Sequence, residues 1–272
     1  MEIACFFTQI EAALTEKGIT LDEALSIASK NGITGLDINA KYFNDKDPEA
    51  FVELIEKHGI HVASVFALPE CWVRTEEEYN NGLNELKKGA DIAKRLKSKY
   101  FMAVPLIPDG SPRKEDEIYW REYRRLFSDI AKYGKEIGIQ VTVEDFSDKR
   151  IPYSSCTELD WLLSNIPELK FTYDSGNFPL TGFDELEGAK RYAEKTVHIH
   201  LKDLIEVEHS QLLRDGKYYE GIEIGGGTLK NKEAIKCLKE RGFDGAISIE
   251  LCCEKDIFDR TMKSAKYLKE II

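Results

Sequence analysis

EIGIQVTVEDF, residues 136–146, reads as a helix end, a turn, a buried strand and an acid in immediate succession. Gly138 follows the amphipathic run YRRLFSDIAKYGKEI and can take the left-handed conformation that ends a helix and returns the chain. A β-rich run follows, and it stops at Glu144. The same order recurs at KNGI (30–33), KHGI (57–60) and ERGF (240–243), where a glycine stands between a helical pattern and an apolar strand.

Extended along the chain, this unit predicts eight strands: EIACFF (2–7), ITGLDI (33–38), IHVASVF (60–66), KYFMAV (99–104), IQVTVEDF (139–146), KFTYD (170–174), TVHIHLKD (196–203) and GAISIEL (245–251). Amphipathic runs such as LDEALSIASK, PEAFVELIEKH and FDELEGAKRYAEK separate them, and Thr75 with Glu78 has the spacing of a capping box. Eight units in 272 residues give about 34 residues each, which suits a single (β/α)8 TIM barrel of class α/β spanning 1–272. A doubly wound open sheet lacks its glycine fingerprint after the first strand.

Composition narrows the function. With 42% apolar and 32% charged residues the chain buries a sizeable core, and a formal net charge of −11 argues against a nucleic-acid groove. No apolar run approaches the roughly 20 residues that span a bilayer, and no leader pattern opens the chain, so a cytoplasmic protein is expected. The six cysteines show no paired CxxC spacing, which points to reduced thiols and away from structural zinc.

In a parallel barrel the chemistry sits where strands stop. Glu144, Asp174, His200 and Glu250 fall at or near the ends of the last four strands. Asp174 taken alone reads equally well as turn chemistry with Ser175, Gly176 and Asn177, and His200 alone as a hydrogen-bonded core histidine. Glu144 and Glu250 interrupt apolar strands, where an unpaired carboxylate is costly, and one divalent ion would satisfy all four groups. Three hard oxygen donors with one imidazole suit Mn²⁺, Mg²⁺ or Co²⁺ over Zn²⁺.

The order VEDF, TYDSGNF, HIHLKD, GAISIEL resembles the xylose isomerase-like barrels, which include sugar and sugar-phosphate isomerases and epimerases, inosose isomerases and dehydratases, and endonuclease IV enzymes. The resemblance implies that Glu144, Asp174, His200 and Glu250 bind the metal and that Glu144 and Glu250 form the acid/base pair. His200 is preferred to His198 because Leu-Lys-Asp follows it. Many relatives carry a histidine where this chain has Asn177, which can hydrogen-bond a hydroxyl but cannot shuttle a proton near neutral pH.

The expected activity is a metal-dependent isomerase or epimerase of a sugar or sugar phosphate, working by proton transfer through an enediolate. The alternatives are an inosose-type dehydratase or isomerase on the same metal site and a non-catalytic sugar-binding barrel. An endonuclease IV-like nuclease is disfavoured by the acidity of the chain and its five histidines. Asn177, His198, Lys202, Phe7, Phe66 and Trp72 are candidate substrate contacts, and Asn39 stands at another strand end. Gly225 to Gly227 could cradle a phosphate, although a plain turn fits them better. Loops 67–75 and 204–222 are long enough for a lid or a homo-oligomer contact.

Overall fold

The computed structural model describes residues 1–108, 117–148, 150–209, 212–214 as backbone, and 217–272. Seven strands appear first: β1 (Glu2–Phe6), β2 (Ile33–Asn39), β3 (His61–Ala67), β4 (Tyr100–Ala103), β5 (Gln140–Glu144), β6 (Lys170–Asp174) and β7 (Thr196–Leu201). After them come β8 (Leu204–Val207), β9 (Leu212–Arg214), β10 (Lys217–Gly221) and β11 (Ala246–Ile249). The hydrogen-bonded order β1-β11-β7-β6-β5-β4-β3-β2 closes on itself as a barrel, and β8, β10 and β9 form a separate antiparallel sheet. This is the expected (β/α)8 TIM barrel.

The helices are α1 (Phe7–Glu16), α2 (Leu21–Lys30), α3 (Pro48–Glu56), α4 (Glu76–Arg95), α5 (Glu117–Ile137), α6 (Cys156–Asn165), α7 (Asn177–Thr181), α8 (Glu185–Tyr192), α9 (Asn231–Glu240) and α10 (Ile257–Ile271). Glycines at all four predicted helix-to-strand turns have positive φ: 86° at Gly32, 69° at Gly59, 80° at Gly138 and 94° at Gly242. The Thr75–Glu78 capping box forms, with Glu78 N donating to Thr75 Oγ1 at 3.2 Å and Thr75 N donating to Glu78 Oε2 at 3.1 Å.

Two compact units make up the chain. The first comprises Met1–Ile38, Ala50–Ala63 and Tyr173–Ile272. Here β1 lies parallel between β2 and β11, and β11 pairs with β7. Buried Ala4, Ala63 and Ala246 pack together, and a Cβ on Gly35 would come within 3.0 Å of both Ala4 and Ala63, so small residues close this part of the core.

The second unit, Asn39–Glu49 with Ser64–Thr172, has β3, β4 and β5 in parallel register, with β5 paired to the start of β6. Gly89 of α4 abuts Phe101 and Ala67, so those two side chains face the helix layer. By alternation their neighbours Met102 and Phe66 face the other side. The predicted lid segment 67–75 is pinned in this unit: Cys71 N donates to Leu106 O at 2.9 Å and Leu106 N to Pro69 O at 2.9 Å. Of the predicted 204–222 loop, the described residues form β8 to β10; residues 210, 211, 215 and 216 lie outside the described residues.

Candidate active site

Asp37, in the second half of β2, is buried and 1% exposed. Its Oδ2 accepts from His198 Nε2 at 2.7 Å and from His200 Nε2 at 2.9 Å. Both imidazoles rise from β7 two residues apart, hence on one face of the strand. A carboxylate only accepts, so both histidines carry a proton on Nε2 and His200 directs Nδ1 the other way, 3.2 Å from Glu250 Oε2. Burial pushes the Asp37 carboxyl up, but the facing His198 and His200 outweigh it and hold the group well below the usual carboxylate range. Phe6 closes one side, its ring edge-on to His200 at 4.9 Å.

A second layer lies where the strands end. Asp174, fully buried, closes β6, and its Oδ1 accepts from Gly176 N at 2.8 Å and Asn177 N at 3.3 Å. Its Oδ2 accepts from Asn177 Nδ2 at 2.9 Å and from the ammonium of Lys202. The same Lys202 Nζ lies 2.9 Å from Glu250 Oε1. Glu250 directly follows β11, tied to β7 by its N–H donating to Leu201 O at 2.9 Å. Burial raises its carboxyl, while the Lys202 charge and the His200 contact pull it below the ordinary carboxylate range.

Lys202 is threaded into place. Its backbone is clasped by Ser175 Oγ, which donates to Lys202 O at 3.0 Å and accepts from Lys202 N at 3.1 Å, and Asn231 Nδ2 donates to the same carbonyl at 2.9 Å. A Cβ on Gly176 would stand 2.6 Å from the Lys202 stem, so only glycine lets the lysine pass.

The neighbouring Asp203 turns away and explains the triple glycine. Its Oδ2 accepts from Gly225 N at 2.9 Å and Gly227 N at 3.0 Å, and its Oδ1 from Leu204 N at 3.0 Å and Leu229 N at 3.2 Å. The loop is an anion nest already filled by an internal carboxylate. That removes the phosphate-cradle reading of Gly225 to Gly227.

Of the predicted residues, Asp174, His198, His200, Lys202 and Glu250 come together in the first unit. Asn177 joins them in a different role from the one expected, because its amide holds Asp174. Phe7 is corrected: it opens α1, is 2% exposed and packs edge-on to Phe51 at 5.1 Å, leaving Phe6 as the aromatic beside His200. Asn39 is a turn cap, its Oδ1 accepting from Lys41 N at 2.9 Å. In the second unit Glu144 is the buried last residue of β5, followed by buried Asp145. Phe66 is half-buried near the end of β3. Trp72 is 41% exposed and lines a groove with Asn81, Asn84 and Lys88 of α4, in which none of the strand-end acids takes part. Asp37 was missed, although its signal was the one that flagged Glu144 and Glu250: an acid between two apolar strand residues.

The first unit therefore concentrates three carboxylates, Asp37, Asp174 and Glu250, around the single ammonium of Lys202 and two imidazoles. Such a surplus of buried negative charge fits a divalent cation. A buried cluster of Asp and His side chains there could hold one, with Asp37, His198 and His200 bringing donor atoms within 4.8 Å of one another.

No helix among the described residues is long and apolar enough to cross a membrane. An inosose dehydratase of Klebsiella pneumoniae subsp. pneumoniae is 24% identical over 297 aligned positions, covering 96% of this chain and 97% of that protein. A crystal structure described as IOLI protein with a binding zinc atom superposes with a TM-score of 0.76 at 20% identity, over 99% of this chain and 96% of that one. The D-allulose 3-epimerase from Methylomonas sp. in complex with D-allulose also gives 0.76, at 14% identity, over 100% of this chain and 97% of that one. A sequence profile described as xylose isomerase-like TIM barrel matches residues 25–271, and with this barrel and these strand ends the chain belongs to that family.

Proposed function

We propose that this chain is a divalent-metal-dependent enzyme that removes a proton from the carbon beside a carbonyl, acting as an isomerase or epimerase of a sugar or sugar phosphate. The observation that carries the reading is the run of contacts from Asp174 through Lys202 to Glu250 and His200 at the ends of the adjacent strands β6, β7 and β11, with Asp37 of β2 behind His200.

Glu144 is the proposed fourth ligand. It lies two residues past Thr142, whose hydroxyl is 2.8 Å from that of Thr172, and Asp174 lies two residues past Thr172. Alternation puts Glu144 on the same face of β5 as Thr142. When bound, a divalent ion held by Glu144, Asp174, His200 and Glu250 would stabilise the negative charge that develops on the substrate oxygens, and three oxygen donors suit Mn²⁺, Mg²⁺ or Co²⁺.

Glu250, held ionised by Lys202 and His200, is the proposed proton acceptor. For isomerisation Glu250 would give the proton back at the neighbouring carbon on the same face; for epimerisation Glu144, in its acid form, would deliver its own proton from the opposite face. Lys202 can donate to a substrate oxygen, and Asp37 keeps His200 from turning.

A dehydratase of an inosose-like ketone is the second reading, favoured by the inosose dehydratase aligned along nearly its whole length. It shares the first proton transfer; the hydroxyl on the next carbon then leaves as water. Incubating metal-reconstituted protein in D₂O with ketoses, ketose phosphates and inososes, before and after chelation, separates the two. Metal-dependent deuterium at the carbon beside the carbonyl, with carbon skeleton and oxygen count kept, is expected for the isomerase or epimerase. Loss of water identifies the dehydratase. Bound metal with no exchange on any panel member would keep the site and put the substrate outside the panel, or favour a non-catalytic sugar-binding barrel.

A further inference from the structure

Each carboxylate that Lys202 bridges has one oxygen already committed. Asp174 Oδ1 is held by the N–H groups of Gly176 and Asn177, and Glu250 Oε2 lies against His200 Nδ1. The Lys202 ammonium sits on Asp174 Oδ2, which also accepts from Asn177 Nδ2, and on Glu250 Oε1. Lys202 is 7% exposed, and its stem runs through the slot over Gly176 with its backbone clasped by Ser175 and Asn231. The main chain of Lys202 is thus fixed while its charged end reaches Asp174 and Glu250. Those contacts are to two of the proposed metal ligands.

We infer that Lys202 is an internal counter-ion that holds the cation position in the metal-free protein, and that metal entry drives its ammonium off Asp174 and Glu250 into the barrel mouth. The inference rests on the metal-site reading above. An ammonium and a divalent ion cannot share the same two oxygens at contact distance without strong repulsion, so one must leave. The exchange has two consequences. Buried carboxylates keep a positive partner when no metal is present, so the metal-free chain stays folded. Metal binding also places a donor where substrate enters, so the site becomes competent to bind a polyol only when loaded.

The test compares wild type with Lys202→Met, which keeps the stem and removes the charge. Mn²⁺ affinity is measured by competition with a chelator, and thermal midpoints are taken with and without Mn²⁺. Lys202→Met is expected to melt several degrees lower than wild type without metal, to bind Mn²⁺ at least tenfold more tightly, and to gain more from it. Equal affinities and equal Mn²⁺-induced shifts would overturn the inference while leaving the metal site intact. Absence of Mn²⁺ uptake by both proteins would remove the metal reading and this inference together. Should metal-free Lys202→Met be unrecoverable, reductive methylation of wild type read by peptide mass spectrometry decides. Modification of Lys202 should accelerate several-fold on adding Mn²⁺, and an unchanged or slower rate counts against displacement.

Discussion

Asp37 is one side chain on which two others depend. Replacing it by Asn keeps the shape and an oxygen that can accept both N–H groups, but removes the charge that holds them. Asp37→Asn should therefore loosen the His200 ring and weaken metal affinity toward the lower end of about 10–100-fold, the range for partners that orient a ligating histidine. A direction in pH follows as well. The folded-state pKa of Asp37 is depressed, so its stabilisation is complete above the unfolded value of about 3.9 and is lost as pH falls below it. Between pH 4 and 2 the unfolding free energy of wild type should fall with a steeper slope than that of Asp37→Asn. The difference is at most one proton, about 1.4 kcal/mol per pH unit, measured by urea titration at each pH. The acid itself was visible in ITGLDIN. Its histidine partners lie 161 and 163 positions away, and closing the barrel, not any local pattern, brings them within reach.

Strands were legible because a parallel barrel buries both of their faces, so each reads as a short apolar run ended by a polar residue. The elements that escaped lack that contrast. α1 begins at Phe7 with no turn residue after β1, and what commits Gln9 to it is distant: its Nε2 donates to Ile249 O at 2.8 Å and its Oε1 accepts from Thr261 Oγ1 at 2.7 Å. In the antiparallel excursion β8 and β10 are largely half-buried or exposed and carry charge, so their sequence alternates too weakly to announce strands. At the site, acids at strand ends could be read because burial makes them conspicuous. The committed roles of Asn177 and Asp203 could not, since backbone N–H groups that bind a carboxylate leave no mark in the residue names.

At the scale of the whole chain, 49 acidic residues face 38 lysines and arginines. The long-range field therefore repels polyanions, and no retention on a heparin column is expected at roughly 0.15 M salt, whereas binding there would require a concentrated basic face. The sequence holds no linker, and the structure gives a reason. β2, β3, β6 and α3 each contribute residues to both compact units, so the boundary between units runs through strands and a helix and leaves no loop in which a linker could be written.

The filled nest around Asp203 amounts to a receptor whose guest is covalently attached. Four N–H groups converge on one carboxylate, and a Cβ on Gly227 would collide with it at 2.1 Å, so the host is cut to fit. Truncating the guest should leave the host open. Asp203→Ala is expected to lose about 1–3 kcal/mol in urea unfolding through those orphaned donors, and to recover part of it in acetate or formate, with wild type indifferent to either salt. Chemical rescue of that kind would turn a structural clamp into an anion sensor built from the protein's own main chain.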